Sequence, residues 1–155
     1  MASSMLENFL PSTADNTYRG RKLALWIMGA VVLMKVTMSV NSIVNGRFVA
    51  QKADGLPLDS YPAAAARTIL ALVALWAFAH LILSLLGVVA LVRYRSLVPF
   101  VFALILIEHL GRKLIIQLIP VARSVSAPAS AINLVLIALR IAGLALSLWS
   151  REKGS

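Results

Sequence analysis

The sequence has no cysteine, few aromatic residues and only 6 acidic residues in a chain of 155. Without cysteine, the chain cannot be a disulfide scaffold, a thiol enzyme, a cysteine-ligated zinc protein or an iron–sulfur protein. Charged residues make up 14% of the chain and hydrophobic residues 60%, whereas a soluble domain has about 25% and about 50%. The composition excludes an ordinary soluble domain and indicates an integral membrane protein.

Four long apolar stretches dominate the chain, and each has the length of about 20 residues that a helix needs to cross a bilayer. They lie at 23–44, 69–92, 97–120 and 129–150. Because backbone amides cannot remain unpaired in lipid, and because the runs are continuous, we predict that they are helices. The expected fold is all-α: a single transmembrane domain over residues 1–155, built as an antiparallel four-helix bundle with short loops.

The basic residues that flank the stretches are distributed unevenly between the two ends of the predicted bundle. One end would carry Arg19, Arg21, Lys22, Arg93, Arg95, Arg151 and Lys153. The other end would carry Arg47, Lys52, Arg67 and Arg123, diluted by Asp54 and Asp59. Cytoplasmic ends are richer in lysine and arginine, so we expect both termini in the cytoplasm, with the protein in a bacterial inner membrane. Anionic lipid is a more natural partner for these scattered cations than nucleic acid.

Each predicted span carries a polar or charged residue near its centre. These residues are Lys35, His80, Glu108, His109 and Arg140. A charge at the bilayer centre costs about 2.5–3.5 kcal/mol even on the lenient insertion scale, so the side chains are expected to meet one another. We predict that they form a charge cluster that binds a ligand or a partner. Supporting polar residues are predicted at Ser39, Ser84, Arg112 and Asn133.

Helical spacing places small residues on the same face as the central polar residues. Ala77, Ser84 and Gly87 share a face with His80. Small residues allow helices to approach closely, and hydroxyl groups give them hydrogen-bonding partners. We therefore expect a polar stripe inside the bundle, with the larger apolar side chains facing lipid.

The charges in the predicted cluster do not balance, because the single carboxylate of Glu108 cannot neutralise both Lys35 and Arg140. Four explanations are open: Lys35 is deprotonated, water fills a cavity, an anion binds, or a partner subunit supplies an acid. Arginine retains its charge, so Arg140 is expected to pair with Glu108 if the two are in reach. The spacing of Glu108 and Arg112 also permits an ordinary pair within one helix. Snorkelling to the interface is the simpler interpretation of Arg112 and Lys113.

Enzymatic chemistry finds little support in the sequence. Acid–base catalysis commonly uses two acids, and the predicted spans contain Glu108 alone, so we predict that the chain is not an enzyme. No metal-ligand pattern is present, and we predict no metal site. His80 and His109 could still be the axial ligands of a b-type haem between neighbouring helices, or they could be neutral core residues.

Three functional hypotheses follow from these observations. The first is an accessory or assembly subunit of a larger membrane complex. In that case an acidic residue of the partner subunit neutralises the surplus positive charge. The alternative is a small proton- or ion-coupled transporter of an anionic substrate, as a homodimer. The third is intramembrane binding of haem or lipid. In size and number of spans the chain resembles the small multidrug transporters, but their glutamate in the first span is replaced by Lys35, so no residue role carries over.

Overall fold

The chain is helical throughout its described part, and four long helices account for most of it. The structure is a computed structural model that describes residues 7, 9–123 and 129–149, and no strand occurs among them. The long helices are α1 (Lys22–Val44), α2 (Ala63–Arg93), α3 (Val98–Leu118) and α4 (Ala129–Leu148). The all-α prediction is confirmed. Ser150, Arg151 and Lys153, which entered the predicted span and sidedness, lie outside the described residues.

Within the described part of the chain, three helices are long and apolar enough to cross a membrane, which indicates a membrane protein. They are α1, α2 and the part of α4 from Ala131 to Leu148. Helix α3 is not among them, because it carries three charged residues, Glu108 at its midpoint and Arg112 and Lys113 one turn further on. The prediction of four equivalent apolar spans therefore holds for three of them.

Helix α2 extends ahead of the apolar stretch predicted at 69–92. It starts at Ala63, directly after Pro62, rather than at residue 69. The four alanines that follow Pro62 have the highest helix propensity of any residue, and a proline readily precedes a first turn. The segment between α1 and α2 is itself partly helical, at Gly46–Phe48, Val49–Ala53 and Leu58–Ser60.

The helices pack in neighbouring pairs: α1 against α2 and α4, and α3 against α2 and α4. Two glycines mark the closest approaches. A methyl group on Gly87 of α2 would lie 2.6 Å from Cγ2 of Val32 in α1, and one on Gly143 of α4 would overlap the ring of Phe102 in α3. The expected small residues at helix contacts are therefore present. Ala77, Ser84 and Gly87 are buried with His80, as their spacing predicted.

The segment before α1 is hydrogen-bonded both to the turn between α2 and α3 and to the end of α4. The backbone carbonyl of Asp15 accepts hydrogen bonds from both the hydroxyl and the backbone amide of Ser96, in the turn between α2 and α3. The backbone N–H of Arg21 donates to the carbonyl of Leu146 near the end of α4 at 3.1 Å. This end of the helices, called here the basic end, brings together basic residues before α1 and around the α2–α3 turn.

Most of the apolar core lies in the half of the molecule near the basic end. It is formed by the first half of α1, the last turns of α2 and the first half of α3, with Ala24, Met28, Val32, Ala90, Val98, Val101, Phe102 and Ile105. Many large apolar side chains point outward instead, including Trp26, Leu33 and Phe78. Outward apolar side chains suit a helix surface in contact with lipid.

Candidate functional site

The structure brings the central polar residues of all four helices into one region. Lys35 comes from α1, His80 from α2, Glu108 and His109 from α3, and Arg140 from α4. Relative exposure is 8% for Lys35, 7% for His80, 3% for His109 and 0% for Arg140. Glu108 is half-buried beside them. We call these five residues the polar cluster.

His80 makes a hydrogen bond through each of its ring nitrogens. Nδ1 lies 3.0 Å from the backbone carbonyl oxygen of Trp76, and Nε2 lies 2.7 Å from Oε1 of Glu108. A carbonyl oxygen can only accept, so Nδ1 must carry a proton. The contact between His80 and Glu108 then needs a second proton, held on either the imidazole or the carboxyl. In both arrangements the pair is neutral as a unit.

His109 is held by two arginines at a single ring nitrogen. Nη2 of Arg112 donates to Nδ1 of His109 at 3.0 Å, and Nη1 of Arg140 donates to the same atom. Nδ1 must therefore be unprotonated, which makes the ring of His109 neutral with its proton on Nε2. Two guanidinium groups thus converge on an uncharged imidazole.

The prediction that Arg140 pairs with Glu108 is wrong, because the two side chains do not form a hydrogen bond or an ion pair with each other. Glu108 instead contacts His80, and its nearest cation is Arg112, whose Nε lies 3.5 Å from Oε1. Arg140 donates to His109, one residue further along α3, and feels Glu108 only at longer range. Adjacent residues on a helix point about 100° apart, so α4 faces His109 while α2 faces Glu108. The predicted pair of Glu108 and Arg112 within α3 is present.

Several polar atoms of the polar cluster and Arg112 have no hydrogen-bonding partner. Among the described residues these are Oε2 of Glu108, Nε of Arg112, and both Nε and Nη2 of Arg140, all inaccessible to solvent. Buried donors on a charged group are costly when unpaired. Since the pair of His80 and Glu108 is neutral, the positive charges of Arg112 and Arg140 have no full counter-charge in the described part of the chain.

The remaining predicted residues occupy different positions around the polar cluster. Lys35 makes no hydrogen bond with any described residue, although Glu108, Arg112 and Arg140 act on it electrostatically. Ser39 is buried one turn further along α1. Ser84 donates its hydroxyl to the backbone carbonyl of His80 at 2.7 Å, so it supports α2 rather than a ligand.

A cleft of about 400 Å³ leads from the polar cluster toward the loop that connects α1 and α2. His109, Arg112 and Asn133 lie at its inner part, and exposed Lys113 and Arg123 lie at its rim. Its remaining lining residues are Asp54, Leu56, Val73, Trp76, Ile116, Gln117, Val121, Leu134 and Ile137. This cleft lies away from the basic end and its apolar core.

Sequence reasoning missed most of the residues that form the cleft. From the sequence alone, snorkelling is the prediction for Lys113, and Asp54 and Arg123 are loop charges. Trp76, whose ring lies 5.0 Å from the guanidinium carbon of Arg112, was not assigned to a site. Burial raises the pKa of the Asp54 carboxyl, while Arg123 and Arg112 oppose that shift. The available signal was the recurrence of Arg112, Lys113 and Gln117 along one part of α3.

The polar cluster offers little to a metal ion or a haem iron in this arrangement. No group of three or more potential metal ligands occurs in the described part of the chain. Both ring nitrogens of His80 are engaged in hydrogen bonds, and Nδ1 of His109 accepts from two arginines. Ligation by His80 would require the loss of its contact with Glu108 or with Trp76. The donor set therefore does not fit a bis-histidine haem.

Comparison with known proteins gives no relative: no protein-family model, curated protein or solved structure matches the chain. The geometry of the polar cluster and the cleft is therefore the basis for a function.

Proposed function

We propose that this chain is a small membrane carrier that moves an anion together with a proton. The observation that carries the proposal is the neutral pair of His80 and Glu108, placed beside the buried guanidinium of Arg140. Two nitrogens of this guanidinium have no hydrogen-bonding partner among the described residues. An ionisable group inside a membrane is expensive and is commonly part of an ion pathway. The pair provides a site for the proton, and the arginines provide a site for the anion.

The two sites are coupled through electrostatics. With its shared proton, the pair of His80 and Glu108 is neutral, and the charges of Arg112 and Arg140 are free to attract an anion. When that proton leaves, Glu108 is a carboxylate whose Oε2 has no hydrogen-bonding partner among the described residues, and it competes with the anion for the arginines. Protonation and anion binding therefore favour each other, which is the thermodynamic requirement for symport.

Access to the polar cluster differs between its two sides. Near the basic end, the apolar core around Met28 and Phe102 fills the space between the helices, and both side chains are fully buried. On the opposite side, the cleft reaches His109 and Arg112. This asymmetry supports a state of the carrier that is open toward the α1–α2 loop and closed toward the basic end.

The proposal includes a membrane arrangement. We place the four helices as an antiparallel bundle, with the basic end and both termini in the cytoplasm of a bacterial inner membrane. The uneven distribution of basic residues supports this orientation. Helix α3 would cross the membrane with its charges turned toward the polar cluster and the cleft, since polar groups in a membrane face the protein interior.

The test is proton movement driven by an anion gradient. Purified protein is reconstituted in vesicles that contain a pH-sensitive dye, and inorganic phosphate, succinate or octyl phosphate is added outside. We expect at least one anion to acidify the interior in the wild-type protein and the Glu108→Gln variant to lose this flux. The control is Asp59→Asn, which removes an exposed carboxylate that pairs with Arg47. Flux that is absent for all three anions, or unchanged in Glu108→Gln, would overturn the proposal.

A second candidate is an accessory subunit of a larger membrane complex. One observation favours it: an open hollow between Trp76, Gly111 and Ile115 on the outer surface leads to Glu108, whose side chain is 23% exposed. A methyl group on Gly111 would meet no atom within 4 Å, so a partner helix could pack closely there. Extraction in mild detergent followed by mass measurement tests this role. A stoichiometric partner that is lost in a Gly111→Leu variant, but kept in Gly29→Leu, would support it.

A further inference from the structure

The cleft between α2, α3 and α4 combines a cationic rim with apolar walls. We infer that it binds an amphipathic phosphate monoester, with the phosphate at Arg112, Lys113 and Arg123 and the chain against the apolar walls. This inference rests on the proposed carrier function and names the class of its ligand. It also concerns an equilibrium binding site, so it can be tested without any measurement of transport.

The charges that line the cleft match a doubly negative head group. Arg112, Lys113 and Arg123 provide three positive charges, and Asp54 is the one acid among the lining residues. Among the described residues, no ion pair joins Asp54 to any of these cations, and Arg112 has a buried Nε atom without a hydrogen-bonding partner. Lys113 and Arg123 form no ion pair with any described residue, whereas Arg112 is paired with Glu108, which also contacts His80. The excess of the three cations over Asp54 equals the charge of a phosphate monoester dianion.

The walls of the cleft suit an apolar chain next to that head group. Val73 of α2, Ile116 of α3, and Leu134 and Ile137 of α4 line it. The amides of Gln117 and Asn133 lie among these residues and can donate to phosphate or ester oxygens. A small inorganic anion would satisfy only the cationic part of the site. A ligand with both parts would remove the apolar walls from water as well.

Two sources can provide this chemistry: a soluble organic phosphate, or the head group of a lipid such as phosphatidic acid, which is also a phosphate monoester. Phosphatidylglycerol is a diester with a single negative charge, and it is the matched lipid control. For either source, we expect the cleft to bind a phosphate monoester more tightly than a diester. The experiment distinguishes the soluble source from the lipid source.

The experiment uses the fluorescence of Trp76, which lines the cleft. The outward-facing Trp26 and Trp149, which are 79% and 62% exposed, are replaced by phenylalanine so that Trp76 is the single reporter. The full chain is placed in phosphatidylcholine nanodiscs and titrated with octyl phosphate, inorganic phosphate and octanol. We expect saturable binding of octyl phosphate, binding of inorganic phosphate that is weaker by about tenfold or more, and no saturable response to octanol.

Charge-removing variants locate the site. Lys113→Gln and Arg123→Gln should each weaken the binding of octyl phosphate by about tenfold. The matched controls, Lys52→Gln and Arg67→Gln, remove exposed cations from the same side of the molecule but outside the cleft, and should change affinity by less than about twofold. Circular dichroism and the unliganded emission of Trp76 check that each variant is folded.

The outcomes separate the inference from the proposed function. Equal losses in Arg67→Gln and Arg123→Gln, a saturable response to octanol, or no saturable response to octyl phosphate would overturn the cleft as a phosphate monoester site. If nanodiscs with phosphatidic acid, but not with phosphatidylglycerol, block octyl phosphate, the natural source is a lipid; if neither blocks it, the source is soluble. Binding that depends on Arg123 without proton-coupled flux would support the site and reject the carrier.

Discussion

Nε2 of His80 lies 2.7 Å from Oε1 of Glu108, and this contact links α2 to α3 within the polar cluster. Because Nδ1 of His80 already donates to the carbonyl of Trp76, the contact with Glu108 holds a proton of its own. The pair is therefore both a structural link between two helices and a place where a proton can be gained or lost.

A double-mutant cycle should show that Glu108 is coupled to His80 more strongly than to Arg140. We expect Glu108→Ala and His80→Ala to have a coupling free energy of about 1–3 kcal/mol, because each change leaves the other group without its partner. The cycle of Glu108 with Arg140 should give less than about 0.5 kcal/mol. Unfolding in mixed micelles measures both cycles. The reverse order of couplings would contradict the pairing described for α3.

Replacing Arg140 by methionine should stabilise the fold and abolish anion-dependent proton flux. The guanidinium is fully buried, and two of its nitrogens have no partner in the described part of the chain, which is unfavourable. Nδ1 of His109 still accepts from Arg112 after the change. Methionine is flexible enough to fill the space. The expected gain is about 1 kcal/mol in the free energy of unfolding. A stabilised variant with wild-type flux would remove Arg140 from the proposed mechanism.

Asp54 should make anion binding in the cleft depend on pH. Burial raises the pKa of its carboxyl, so it becomes neutral at a higher pH than an exposed aspartate and then no longer repels an anion. Binding of octanesulfonate, which keeps its charge, should strengthen as the pH falls through this range. Asp54→Asn should bind more tightly at neutral pH and show a weaker pH dependence, whereas the exposed Asp59→Asn should resemble the wild type. Identical pH profiles for Asp54→Asn and the wild type would contradict this role.

Gly143 should not tolerate a methyl group. Its Cβ would overlap the ring of Phe102, which is fully buried. Gly143→Ala is therefore expected to lower the free energy of unfolding by about 1–3 kcal/mol through overpacking. The control is Gly29→Ala in α1, where a methyl group would meet no atom within 4 Å. That change should be neutral or slightly stabilising, because alanine favours helix. Equal stability of the two variants would show that α3 and α4 do not approach closely at Phe102.

Tyr18 should lose its phenolic proton at a higher pH than an exposed tyrosine, and the protein should tolerate removal of its hydroxyl group. Burial raises the pKa of the phenol from its ordinary value of 10.0 to about 12. The folded state therefore favours the neutral phenol. The resulting stabilisation is complete below pH 10.0, the ordinary pKa, and is lost as the pH rises through about 12. Its hydroxyl has no hydrogen-bonding partner among the described residues. Tyr18→Phe should therefore preserve stability or raise it by about 1 kcal/mol. It should also remove the late step in tyrosinate absorbance, which Tyr61→Phe should leave in place.

The helices and the inward position of their polar residues could be predicted from the sequence. The long apolar runs require helices in lipid. The spacing of Ala77, Ser84 and Gly87 around His80 marks the inward face of α2, because residues three or four apart share one side of a helix. The apolar stretch at 69–92 is shorter than α2, because the alanines after Pro62 favour helix strongly but are less hydrophobic than the rest of that helix.

The partners inside the polar cluster could not be predicted in the same way. Counting charges favours a pair of Arg140 with Glu108. In the structure, Glu108 contacts His80 instead, and Arg140 donates to His109. Glu108 and His109 are neighbours in sequence, and only the rotation of α3 relative to α2 and α4 decides which helix each of them faces. A periodic pattern contains no information on that rotation.

By itself, the sequence determined that this is a helical chain with apolar outer faces and a polar residue near the middle of each long helix, because these features depend on composition and on spacing along one helix. The tertiary structure alone decided that His80 and Glu108 share a proton, that Arg140 is buried without a full counter-charge, and that Asp54, Arg112 and Arg123 line one cleft. Those features depend on distances between helices, which are set by packing at positions such as Gly87 and Gly143.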